Sequence, residues 1–166
     1  MDISRKTDYA VRVLMGVAEA EAEGVTCTAS QVARRKLVPK PFVRKIITEL
    51  ASLGLLQTRR GRRGGLRLGV PANSVTLRSI VETVEGPIYL NRCLIRPGEC
   101  ALDKFCAANG VWRRAQEAML KALDSVTLAD LVAEGKVLRM QWVKSMAERR
   151  LGRQHDATPR AAGGER

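Results

Sequence analysis

The hydrophobic positions of this chain form helical runs on both sides of one glycine-rich stretch. Over residues 4–20 the apolar positions Tyr9, Ala10, Val13, Leu14, Val17 and Ala18 are spaced by three and four, which predicts an amphipathic helix. Gly24 breaks the pattern. Thr28 or Ser30 then suits the cap of a short second helix through Ala33 and Lys36, because a hydroxyl there accepts from free first-turn amides. Val38-Pro39-Lys40-Pro41 predicts a turn, with Pro41 at the first position of a third helix. That helix carries Val43, Ile46, Ile47 and Leu50 on one face and ends near Gly54. Residues 55–59 and 66–68 are short strand candidates, joined by Arg60-Gly61-Arg62-Arg63-Gly64-Gly65. Three helices followed by a glycine-rich hairpin is the order of a winged helix-turn-helix.

A further short helix is expected over 76–84. Residues 86–106 hold Gly86, Pro87, Pro97, Gly98 and three cysteines without a period, and read as an irregular loop. Over 108–126 the helical signal is strongest, with Ala108, Val111, Trp112, Ala115, Ala118, Met119, Ala122, Leu123 and Val126 on one stripe. Arg113, Arg114, Gln116, Glu117 and Lys121 lie opposite. A small wing domain has little apolar surface to cover so wide a face, so the stripe reads as a dimerisation helix rather than a self-packed one. A capped helix at 127–132 and another at 136–150 follow. The predicted class is mainly α, a winged helix-turn-helix with a long C-terminal dimerisation helix. Its divisions are a DNA-binding domain at 1–85, a cysteine loop at 86–107, dimerisation and C-terminal helices at 108–150, and a disordered tail at 151–166. No internal repeat is present.

Apolar residues make up 45% of the 166 positions but aromatics only 4%, so Leu, Val, Ile and Ala must fill the core. No run approaches the ~18 apolar residues that span a bilayer. Met1-Asp2-Ile3-Ser4-Arg5-Lys6 lacks an apolar stretch after its charges, so no signal peptide is expected. The expected location is the cytoplasm, where thiols stay reduced and four cysteines point to metal or redox chemistry. The net charge of +12 implies a polyanionic partner, with a membrane surface as the blander alternative.

That charge is concentrated. Between Arg34 and Arg67 stand eleven basic residues and one acid, Glu49. On the winged topology, Lys40, Pro41, Arg44 and Lys45 lie near the N-terminal end of the third helix, which enters the major groove in this motif, where Arg or Lys can read guanine. Arg60, Arg62 and Arg63 in the hairpin would follow the backbone or the minor groove. The expected partner is double-stranded operator DNA. There is no Walker loop, no G-x-S-x-G elbow and no usable histidine base, so no enzyme is expected.

Cys93, Cys100 and Cys106 are separated by six and five residues. Thiolates are soft ligands suited to iron–sulfur clusters, zinc or Cu(I), and the paired knuckles of structural zinc are absent. Three unligated cysteines are the plain alternative. Cys27 lies far away in sequence and reads as a small, partly buried residue. Three thiols leave one ligand to come from elsewhere, and the only histidine, His155, sits in the tail.

The chain resembles the Rrf-two (Rrf2) family of bacterial winged helix-turn-helix regulators, iron–sulfur type, with its IscR-like, NsrR-like and RirA-like branches. The matching residues are Lys6-Thr7-Asp8-Tyr9-Ala10-Val11-Arg12, Gly54-Leu55-Leu56, the segment from Arg60 through Leu68, the cysteine triplet, and Leu128-Ala129-Asp130-Leu131-Val132. The likeness covers roughly 1–134. It implies a homodimer that holds an iron–sulfur cluster near the long helix and binds a partly palindromic operator. The IscR-like branch places a histidine three residues after the last cysteine, where this chain has Asn109, a poor ligand. The NsrR-like branch takes an aspartate of the first helix from the other subunit, and Asp8 matches it. The resemblance thus favours a 4Fe–4S over a 2Fe–2S cluster on Cys93, Cys100, Cys106 and Asp8, with Glu85 and Glu99 as weaker candidates. The plain alternative for Asp8 is a first-turn acid favoured by the helix dipole. IscR-like members carry an acid where this chain has Arg44, so their operator does not transfer.

The implied function is a repressor whose cluster senses nitric oxide, iron or cluster status, or oxidants. One alternative keeps DNA binding but relies on thiol oxidation or zinc. An iron–sulfur electron-transfer protein would not need the basic hairpin, and a non-specific nucleic-acid coat would have no use for the triplet.

Overall fold

The computed structural model describes residues 3–61 and 64–155. The chain divides into two compact units, Met1–Val132 and Ala133–Arg166.

The first unit is built on α1 (Arg5–Ala22), capped by Ser4, whose hydroxyl accepts from the Thr7 amide at 3.3 Å. Nine of its residues are buried, among them Val13, Leu14 and Val17. Helix α2 (Ala29–Arg35) starts with a complete capping box: Thr28 accepts from the Gln31 amide and Gln31 accepts in return from the Thr28 amide. Helix α3 (Lys40–Ser52) begins after Pro39, with Pro41 in its first turn, and buries Val43, Ile46, Ile47 and Leu50. The α2–α3 turn passes through Leu37, which is 79% exposed and at φ +54°, a conformation that a residue with a Cβ seldom adopts.

Strands β1 (Leu56–Arg59) and β2 (Gly65–Leu68) pair antiparallel, with Leu56 opposite Leu68 and Arg59 opposite Gly65. The wing is tied back twice. The Leu66 amide donates to the Cys27 carbonyl at 2.8 Å, and the Leu68 amide donates to Glu21 Oε1 at 2.9 Å. Across the hairpin tip, the Gly64 amide donates to the Gly61 carbonyl at 2.9 Å. Gly61 sits at φ +106°, and a Cβ on Gly64 would run into the Arg59 and Arg60 backbone, so the turn requires glycine at both.

Helix α4 (Leu77–Glu85) buries Ile80, Val81 and Val84. Its last residue closes the fold: the Glu85 carboxylate accepts from the Ser4 amide at 2.8 Å and from the Thr7 hydroxyl at 2.6 Å. Thr7 is wholly buried. Hydrogen bonding from Ser4 first, then from Thr7, holds the Glu85 carboxyl below its ordinary value. Glu85 therefore anchors the start of α1 in this fold.

Helix α6 (Ala107–Asp124) packs on α4, and its end is pinned by reciprocal backbone bonds, Leu77 amide to Val126 carbonyl and Leu128 amide to Val75 carbonyl, both 2.8 Å. The sequence reading of 86–106 as irregular needs correction, because a single helical turn, α5 (Arg92–Ile95), lies inside it, capped by Asn91. The two helices read at 127–132 and 136–150 are one, α7 (Leu128–His155). Gly135 costs only about 1 kcal/mol in a helix and no proline follows until Pro159, so nothing stops propagation. The tail assigned as disordered from 151 is helical to His155, and the remainder lies outside the described residues.

Candidate nucleic-acid interface and cysteine connector

On α3 the inward face is apolar, so Lys40, Pro41, Arg44 and Lys45 are left exposed. Arg59, Arg60 and Arg67 are exposed on the wing, while Arg62 and Arg63 lie outside the described residues. The fold thus puts the α3 cations and Arg60 on accessible surface. It also removes one from the basic count. Lys36 is withdrawn, its ammonium paired with Glu19 and both side chains only 11% exposed. It packs where α1 and α2 meet, and a Cβ on Gly16 would press on its methylenes at 3.0 Å. Glu49, the lone acid, faces Lys6 at 2.9 Å.

The thiols differ from one another. Cys27 is buried, and burial raises its thiol above the ordinary value against the opposing pull of Arg35, which suits an inert core residue. Cys93 on α5 and Cys106 at the N-cap of α6 are half-buried, and Cys100 between them is exposed. The connector is folded by its own polar bonds. Asp103 accepts from the Gly98 amide at 2.5 Å and from the Asn109 amide group at 3.3 Å. Gln116 of α6 accepts from the Leu90 amide at 3.0 Å. Cys93 lines an open cavity of about 510 Å³ together with Lys104, Asn109 and Arg113.

Among the described residues, no three His, Cys, Asp or Glu side chains converge closely enough to hold one metal ion. The chemistry of the donor set nevertheless fits an iron–sulfur cluster: three thiols on one short connector, none in a disulfide. Asn109 is held by Asp103 and offers an amide, a poor ligand. Glu99 is paired with Arg96 at 3.2 Å, and Glu85 is committed to α1. Asp8 stands half-exposed on α1, gripped through both oxygens by Arg12 at 2.9 and 3.1 Å. The Arg12 guanidinium also lies 5.9 Å from the Tyr9 ring centroid. Sequence reasoning found Asp8 but not its Arg12 partner, although the i,i+4 spacing was legible. It also missed the contact of Tyr9 with Phe42, whose rings meet 5.9 Å apart between α1 and α3.

Comparison with known proteins places this arrangement. The model of the family Rrf2, described as "Iron-dependent Transcriptional regulator", matches residues 3–134. The HTH-type transcriptional regulator NsrR of Geobacillus kaustophilus is 33% identical over 140 residues, covering 84% of this chain and 95% of that protein. Protein aau3 of Rhizobium meliloti is 37% identical over 134 residues, 80% of this chain and 85% of that protein. Among solved structures, CymR (YrzC), the global cysteine regulator of B. subtilis, superposes with a TM-score of 0.68 at 28% identity, covering 81% of this chain and 98% of that one. With its winged helix-turn-helix fold and this match over most of its length, the chain belongs to the Rrf2 family and is a transcriptional regulator similar to NsrR.

Proposed function

We propose that this protein is a homodimeric, operator-binding repressor controlled by an iron–sulfur cluster held on Cys93, Cys100 and Cys106, with Asp8 of the other subunit as fourth donor. The observation that carries the reading is the set of three thiols in the connector joining the winged domain to α6. The family description and the NsrR relatives support it. When bound, the cluster supplies a centre reactive to nitric oxide, oxidants and iron supply, and a 4Fe–4S form is favoured over 2Fe–2S.

The chain's own residues set the rest. Cys93 is on α5 and Cys106 caps α6, so ligation joins the two ends of the connector. The connector is fastened to α6 by Gln116 and α6 to the winged domain through α4, so its order bears on the angle between two winged domains. Half-sites lie roughly 34 Å apart, and both recognition helices must fit together. Lys40, Arg44 and Lys45 would read bases, Pro41 would set the approach of the helix end, and Arg60, Arg62 and Arg63 would hold the backbone. Asp8 can be given up cheaply: its exposed pair with Arg12 is worth only about 0.3–0.5 kcal/mol. The dimer would form along α6, none of whose residues is buried in one chain.

The test is anaerobic purification with iron and sulfide assays, followed by footprinting of cluster-loaded and cluster-free protein. The expected result is visible cluster absorption, lost in Cys106→Ser, and tighter operator binding when loaded. Equal affinity of both forms would overturn the switch. A second reading is thiol oxidation in the same connector, favoured by the exposed Cys100. It expects colourless protein whose operator affinity responds to peroxide.

A further inference from the structure

Between α1 and α3 lies a cavity of about 280 Å³ that none of the roles above uses. Its floor is apolar, made by the Tyr9 and Phe42 rings and by Ile46. Its rim carries three cations, Arg5, Lys6 and Lys45, and one acid, Glu49. Lys6 is occupied, bonding Glu49 at 2.9 Å and the Val84 carbonyl at 3.1 Å. Arg5 and Lys45 have no carboxylate partner within 4 Å among the described residues. Phe42 is 52% exposed, although its neighbour Val43 is buried.

We propose that this cavity is a binding site for a small organic anion with a flat apolar body, of the aromatic carboxylate class. Ligand sites combine apolar walls with a few convergent polar groups, and this volume lies just below their usual range of roughly 300–1,000 Å³, fit for a single ring. The ring covers the exposed face of Phe42 and lies against Tyr9 and Ile46. The carboxylate meets Arg5 and Lys45, the two rim cations without a carboxylate partner among the described residues, beside an apolar wall that strengthens the attraction. A bare phosphate would leave the aromatic floor uncovered, and a neutral ring would leave the cations unmatched. Because Lys45 is also assigned to DNA, an occupant of the cavity weakens operator binding. That consequence rests on the proposed function, whereas the site itself does not.

The test is titration of full-length protein with benzoate, read at the Ile46 methyl resonances, because Ile46 is buried against the cavity and reports on it locally. Benzoate should shift Ile46 saturably. Benzamide, which lacks the charge, and acetate, which lacks the ring, should bind at least about fivefold more weakly, and Arg5→Gln should weaken benzoate by a similar factor. Arg5 is exposed, so this variant keeps the fold, and Lys45→Gln provides a second. No saturable shift at Ile46, or equal binding of benzamide, would overturn the site. So would Arg5→Gln and Lys45→Gln both reducing operator affinity without any benzoate response, since the cavity would then serve phosphate contact alone. Benzoate binding at Ile46 with unchanged operator affinity would leave the site standing and overturn the role of Lys45 in DNA binding.

Discussion

Helices α1 and α6 have the same length, 18 residues, and both carry an apolar stripe, yet nine residues of α1 are buried and none of α6. Helix α1 is enclosed by α2, α3, α4 and the wing. Helix α6 touches α4 and α5, and Val111 and Trp112 remain 53% and 41% exposed. The same pattern therefore serves two ends. In α1 it builds a domain, and in α6 it leaves an exposed apolar surface, the one on which the proposed dimer would form.

The comparison can be broken most severely at its covered end. Leu14→Ala should cost about 2–5 kcal/mol of unfolding free energy in denaturant titrations, since Leu14 is 1% exposed and its truncation leaves a cavity in the core. At the uncovered end, Trp112→Asp should leave monomer stability nearly unchanged. It should raise the dimer dissociation constant at least about tenfold by sedimentation, because an unpaired carboxylate would be buried on pairing. A monomer that unfolds with Trp112→Asp would show that α6 is core after all. On α3, whose inner face resembles α1 and whose outer face is free, Arg44→Ala should cost about 1–3 kcal/mol of operator affinity and relax preference at one base. Gel-shift titrations that show neither effect would remove Arg44 from the interface. The smallest effect concerns the clasp that closes α1 onto α4. The folded Glu85 carboxyl is held below its ordinary value, so its contribution is present above the ordinary glutamate range. That contribution is lost as pH falls through the lower folded value. Glu85→Gln should therefore flatten the acid limb of the stability profile and leave its alkaline limb alone.

Much of the winged domain could be read before any coordinates. Thr28 is one of the two caps expected for α2, and the buried face of α3 is Val43, Ile46, Ile47 and Leu50 as its spacing demands. Both strands fall within a residue of their expected limits. Failures cluster where local signals are weak. The turn at α5 has no period to detect, and the joint between 132 and 136 carries only one glycine against strong helix formers. The candidate site drew on two kinds of signal: the three thiols and the α3 cations are nominated by spacing and residue type, and Asp8 only by the family resemblance. Lys36 was not, because a lysine within a basic run reads as surface until Glu19 is found beside it.

Residue order and period alone were enough to specify α1 to α4, α6, the hairpin and the charge they carry, since these depend on neighbours a few positions apart. Contacts between distant segments decided everything else. Glu85 became a clasp for α1, Glu21 and Cys27 became anchors for the wing, and Tyr9 met Phe42 across a cavity. The physical reason is that burial and charge pairing are properties of the space around a group. That space is filled by residues tens of positions away, on elements whose separation no local pattern records.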